Sequence, residues 1–158
     1  MGRSLIDTCV VSNFSLIGRY ELLETLYGKA LVVTRLVETE LRNGLPKLPN
    51  LRPPLEAIEA GRLEVVDDVT EDELRTAGSL PRKFSGADRV GLAVAFHRQW
   101  TLLTDERALL RECAARGIET LRTDEILIDA LDRGALEKAQ LPGILDAMER
   151  EAHFRPDI

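Results

Sequence analysis

Short apolar runs alternate along this chain with longer stretches whose apolar residues recur at helical spacing. The runs are Leu5-Ile6, Ala30-Leu31-Val32-Val33, Leu63-Glu64-Val65-Val66, Thr101 to Thr104 and Ile118 to Leu121. Their brevity and β-branched content suit buried strands of a parallel sheet, with the third weaker and suited to an edge. Between the first two runs, Phe14 to Ile17 and Leu22-Leu23-Leu26-Tyr27 repeat at helical intervals, and Gly18 and Gly28 punctuate their ends. Thr34 is a plausible N-cap for a helix running to Arg42, with Asn43-Gly44 as its stop. The segment from Leu45 to Pro54 holds four of the seven prolines and reads as a loop, and Pro54 opens a short helix ending near Gly61.

Capping chemistry marks the later helices. Thr70-Glu71-Asp72-Glu73 has capping-box form, and Ser85 begins a long helix through Arg98. Glu106 to Arg116 is helical with Gly117 as C-cap, Thr123 caps a helix to Arg133, and a final amphipathic helix covers about 142–154. Strands alternating with helices predict an α/β fold: a three-layer α/β/α sandwich around a parallel sheet of about five strands. At 158 residues, with no internal repeat, the chain suits one domain spanning 1–158.

Composition narrows the class without changing that picture. Hydrophobic content of 44% and charged content of 30% are ordinary for a globular protein. The longest apolar stretch, Val90 to Phe96, is too short to span a bilayer, and the first residues lead directly into strand-like sequence. A cytoplasmic chain is expected. Cys9 and Cys113 are the only cysteines and read as buried small hydrophobes. The net charge of −6 argues against diffuse nucleic-acid binding, although a local basic rim stays compatible with an RNA substrate.

Four acids change the picture more. Asp7 closes the first run and Asp105 the fourth, while Glu40 and Asp88 sit in helical patterns between them. Parallel sheets gather ligand sites at the carboxyl ends of their strands. Carboxylates meeting there repel by roughly 4 kcal/mol per pair at 4 Å and an effective dielectric near 20. Protonation or a hard cation relieves that repulsion. Each acid also has a plainer reading: Asp7 and Asp105 as N-caps, and Asp88 as the third residue of a box opened by Ser85. Helical phase places Glu40 on the inward face with Leu36 and Val37, and Glu38 with Arg35 and Arg42 on a solvated face.

Leu5-Ile6-Asp7-Thr8, the helix bearing Glu40, Gly86-Ala87-Asp88-Arg89-Val90-Gly91 and Leu102-Leu103-Thr104-Asp105-Glu106-Arg107 together resemble a PIN domain. The tail, Arg116-Gly117-Ile118, Thr123 and Ile128 to Gly134, resembles VapC-type ribonuclease toxins in particular. The resemblance implies a metal-dependent endoribonuclease in which Asp7, Glu40, Asp88 and Asp105 hold Mg²⁺ or Mn²⁺, with Thr8 orienting a carboxylate or a water. It also implies a homodimer and a cognate antitoxin. The third acid is aspartate where many relatives carry glutamate, and Glu106 beside Asp105 suits a helix start. Arg82, Lys83 and Arg89, around the start of the Asp88 helix, are candidate RNA contacts. The stripe Leu141, Ile144, Leu145 and Met148 suits either a dimer contact or intramolecular packing.

Three other readings compete. A phosphoaspartate receiver shares the α/β alternation but needs an acidic pair after the first strand, where only Asp7 stands. A catalytically silent PIN-fold binding module and a housekeeping nuclease without an antitoxin fit the same motifs. His97 and His153 lack a Ser or Cys partner, and no Gly-rich phosphate loop occurs.

Overall fold

The computed structural model describes residues 2–158. Five strands, β1 (Ser4–Ile6), β2 (Leu31–Thr34), β3 (Glu64–Val66), β4 (Thr101–Leu103) and β5 (Thr120–Leu121), form one all-parallel sheet in the order β3-β2-β1-β4-β5. The strands are only two to four residues long.

Among the described residues, nine α-helices connect and cover them: α1 (Thr8–Leu16), α2 (Tyr20–Tyr27), α3 (Arg35–Gly44), α4 (Arg52–Glu59), α5 (Glu71–Ser79), α6 (Gly86–Arg98), α7 (Arg107–Ala115), α8 (Thr123–Asp132) and α9 (Leu141–Glu151). Alternation along the strands sorts the core into two layers. Ile6, Val33 and Leu103 face one side, packed with residues of α1, α2, α3, α4, α8 and α9. Leu5, Val32 and Leu102 face the other, packed with α6, α7, Leu80 and Phe84. The three-layer α/β/α sandwich expected from the sequence is the observed one.

The predicted elements recur within one to three residues, and the edge position expected for the third strand holds. Thr70 and Glu73 exchange both hydrogen bonds of the capping box. Two details differ. Thr123 is the first residue of α8 rather than its cap, because its hydroxyl is committed to Asp105. Ile144, Leu145 and Met148 of α9 are buried in the core layer that includes α1, so that stripe packs intramolecularly.

The strand order reverses at β1. Chain order runs from β1 outward to β2 and β3, then returns to β4 on the opposite side of β1. Adjacent strands whose connections depart in opposite directions leave a crevice at their carboxyl ends. Asp7 and Asp105 follow β1 and β4, the two strands flanking that crevice.

Candidate active site

The crevice is a cavity of about 440 Å³ lined by Asp7, Glu40, Asp88, Asp105 and Glu106, with Thr8, Cys9, Ser12, Ser85 and Phe154. All four acids singled out from the sequence meet there. No lysine, arginine or histidine is among these lining residues, so the carboxylates have no cationic partner in the cavity.

Each acid is delivered by a different piece of local structure. Asp7 leaves β1 in extended geometry and caps α1, its Oδ1 accepting from the Val10 amide at 3.2 Å and the Cys9 thiol at 2.8 Å. Its backbone amide donates to the Leu103 carbonyl at 3.0 Å, tying it to β4. The capping and site readings of Asp7 therefore coexist. Asp88 lies in the first turn of α6, where its amide donates to Ser85 Oγ at 3.1 Å and its carboxylate turns to the cavity. Glu106 caps α7 through the Ala108 amide at 3.1 Å and also lines the cavity.

Asp105 is the most firmly held. The Thr123 amide donates to Oδ1 at 2.8 Å, while the Thr123 hydroxyl and Asn13 Nδ2 donate to Oδ2 at 2.6 and 3.0 Å. Asn13 is buried and also donates to the Thr123 hydroxyl at 3.3 Å. Three fixed donors leave this carboxylate one orientation. Sequence reasoning missed Asn13, whose only signal was an amide among the core-facing positions of α1.

Glu40 requires a correction. It is solvent-exposed, standing over the cavity mouth, where it accepts a hydrogen bond from the Thr8 hydroxyl. The buried acid of α3 is Glu38, only 6% exposed and held by Arg35 at 2.6 Å and Arg42 at 2.8 Å. Burial opposes charge on Glu38, but the two guanidiniums hold its carboxyl below the usual range. Cys9 is likewise corrected. It is exposed at the cavity rather than buried, whereas Cys113 is buried in the core. Arg82 and Lys83 are exposed before α6 and Arg89 is half-buried within it; none lines the cavity.

Burial and mutual repulsion disfavour charge on the acids. Burial pushes Asp7 from the ordinary 3.8 up to about 6, although the Cys9 and Val10 donors pull the other way. Asp88 is raised by burial and then by the charges of Glu106 and Glu40. Asp105 is raised by burial against the pull of Thr123 and Asn13. Among the described residues, no three His, Cys, Asp or Glu side chains already close into a metal cage. The donor chemistry nevertheless fits a hard divalent cation: several carboxylates, all oxygen, with raised proton affinity and no counter-charge. Such an ion keeps several waters and needs only a few protein oxygens.

The model of the family DUF3368, a PIN domain, matches residues 4–157. Among solved structures, PAE2754 from Pyrobaculum aerophilum is similar, with 18% sequence identity and a TM-score of 0.56. That match covers 80% of this chain and 93% of the other, and shows a shared fold. No curated protein matches the sequence. PIN domains are generally nucleases that use divalent metals. With the family model matching nearly the whole sequence, this chain belongs to the PIN domain family.

Proposed function

We propose that this chain is a Mg²⁺- or Mn²⁺-dependent endoribonuclease that hydrolyses phosphodiester bonds in RNA, acting as the toxin of a toxin–antitoxin pair. One observation carries the reading. Asp7, Glu40, Asp88 and Asp105, from four separate segments, line one cavity at the switch point of the sheet, and no basic residue is among its lining. A structural role for any single acid needs no such convergence.

Asp7, Asp88 and Asp105 are the groups that would hold the cation, with Glu40 and Glu106 at the mouth. A divalent ion in such a place polarises a phosphate and lowers the pKa of an attacking water. The remaining work belongs to the chain. Asn13 and Thr123 fix the Asp105 carboxylate, and Thr8 holds Glu40 over the cavity. Glu40 is exposed and open to an incoming strand, a position from which it orients or deprotonates water at the scissile bond. Single-stranded or looped RNA suits an open crevice better than a paired helix, because unpaired segments splay into it. A homodimer and an antitoxin reaching the acidic cavity belong to the same proposal, and a short neighbouring gene for a DNA-binding partner would support it.

The test is direct. Chelator-treated protein is mixed with RNA, then resupplied with Mg²⁺ or Mn²⁺. Cleavage is expected to return with metal and to stay at the chelated blank in Asp7→Asn. Cleavage by that variant at the parental rate sinks the site assignment.

A further inference from the structure

Beside the acidic cavity lies a second depression of about 370 Å³, lined by Arg107, Leu110 and Arg111 of α7, by Arg122 and Asp124 at the start of α8, and by the C-terminal Phe154-Arg155-Asp157. Asp105 and Phe154 line both, so the two form one continuous surface. The balance of charge shifts across that boundary. Five carboxylates and no base line the first, whereas four arginines and three aspartates (Asp105, Asp124 and Asp157) line the second.

The arginines differ in freedom. Arg122 is paired with Asp124 at 3.1 Å, and Arg155 reaches Glu149 at 2.7 Å. Arg107 and Arg111 are exposed and make no ion pair among the described residues. They stand one helical turn apart on α7, hence on one face. Phe154 is placed by the end of α9. His153 takes a left-handed turn (φ 53°), the Phe154 amide returns to the Met148 carbonyl at 3.2 Å, and buried Pro156 anchors the tail beyond. The ring thus stands at the junction of the acidic and basic regions.

We propose that this groove is the track of a single-stranded RNA leaving the cleavage site. Arg107 and Arg111 contact successive backbone phosphates, and Phe154 is a positioning residue on which a base stacks next to the scissile bond. The assignment rests on the ribonuclease reading for what the neighbouring cavity does, and on charge complementarity for what the groove holds. In a chain of net charge −6, the guanidiniums of Arg107 and Arg111, unpaired among the described residues and beside an acidic pocket, offer a polyanion an approach with less repulsion. Aromatic stacking is sequence-tolerant and suits unpaired bases. It moves the RNA contact from Arg82, Lys83 and Arg89, which lie on α6 and the segment before it, to α7 and the C-terminal tail.

Binding of a fluorescent single-stranded RNA, followed by anisotropy in chelator over a range of NaCl, separates this from cleavage. The Arg107→Ala/Arg111→Ala double variant is expected to bind about tenfold more weakly at moderate salt, with a log–log salt slope lower by about 1.4, from roughly 0.7 per phosphate contact. The Arg107→Lys/Arg111→Lys variant should recover the slope. Phe154→Ala should weaken binding with the slope unchanged, and Phe154→Tyr should bind like the parent. With metal present, the arginine losses should fall in KM rather than kcat. An unchanged affinity and slope in the double alanine variant overturns the proposal, as does absence of RNA binding by the parent. Equal competition by polyglutamate and by unlabelled RNA also overturns it, since a bare charge patch behaves that way. Parent protein that binds RNA through these arginines yet cuts nothing with Mg²⁺ or Mn²⁺ retires the nuclease reading and leaves the groove standing.

Discussion

Asp7 carries the sharpest consequence at the scale of a single residue. Its carboxyl is buried without a counter-charge, and its pKa of about 6 stands above the ordinary 3.8. An acid whose folded pKa is raised binds more protons folded than unfolded, so stability falls as pH rises from about 4 through 6. The penalty at neutral pH reaches at most about 3 kcal/mol, at 1.36 kcal/mol per pKa unit. Asp7→Asn removes it. In chelator, urea denaturation is expected to show the variant gaining on the parent by about 1 to 3 kcal/mol between pH 4 and pH 7.5. A difference that does not change with pH contradicts the raised pKa. The substitution proposed to abolish cleavage is therefore also expected to stabilise the metal-free protein at neutral pH. Glu40 shows why one residue was misread. At about 100° per residue, Val37 and Leu41 centre the core face of α3, and Glu38 and Glu40 lie about 80° to either side. Phase alone cannot separate two equal flanks. Arg35 and Arg42 cover one of them, and the cavity mouth opens beside the other.

Among the elements, α6 shows how closely a helix must approach the sheet to present its acid. Gly91 is buried, and a Cβ there would meet Leu102 Cδ1 at 3.8 Å and Leu5 Cδ2 at 4.0 Å. Those are ordinary contacts, and the position lies in a helix interior. Gly91→Ala is thus expected to stabilise by about 0.5–1 kcal/mol, read from the denaturation midpoint, with cleavage unaltered. A loss of stability would mean that α6 sits closer to the sheet than these distances. Helix starts were legible because capping is local: Thr34, Thr70 and Ser85 accept from the amides three residues on, as their spacing announced. Thr123 was legible as a helix start but not as a clamp on Asp105. That partner lies 18 residues away and becomes a neighbour only when β4 and β5 pair. For the same reason the four acids could be named from the sequence, while the arginine groove could not. Arg107, Arg122 and Arg155 come together only through the packing of α7, α8 and the C-terminal tail.

For the whole molecule, α9 closes one helical layer and so contributes to stability through the core. Met148 is fully buried against the sheet-facing helices. Met148→Ala is expected to cost about 2–5 kcal/mol in urea denaturation, independent of protein concentration. A penalty that shrinks on dilution would assign the stripe to a subunit contact instead. The strand order has a consequence of its own. β1 is the central strand, yet its neighbour β4 is encoded almost a hundred positions later, and the clamp on Asp105 later still. Pairings so distant in sequence form late, and domains emerge from synthesis N-terminus first. During translation the first two acids leave the ribosome long before the pocket that gives them meaning. A polypeptide interrupted before Thr123 carries all four acids but lacks the clamp that orients Asp105. On the proposed reading, any cleavage is thereby postponed until the segment bearing Thr123 has been made.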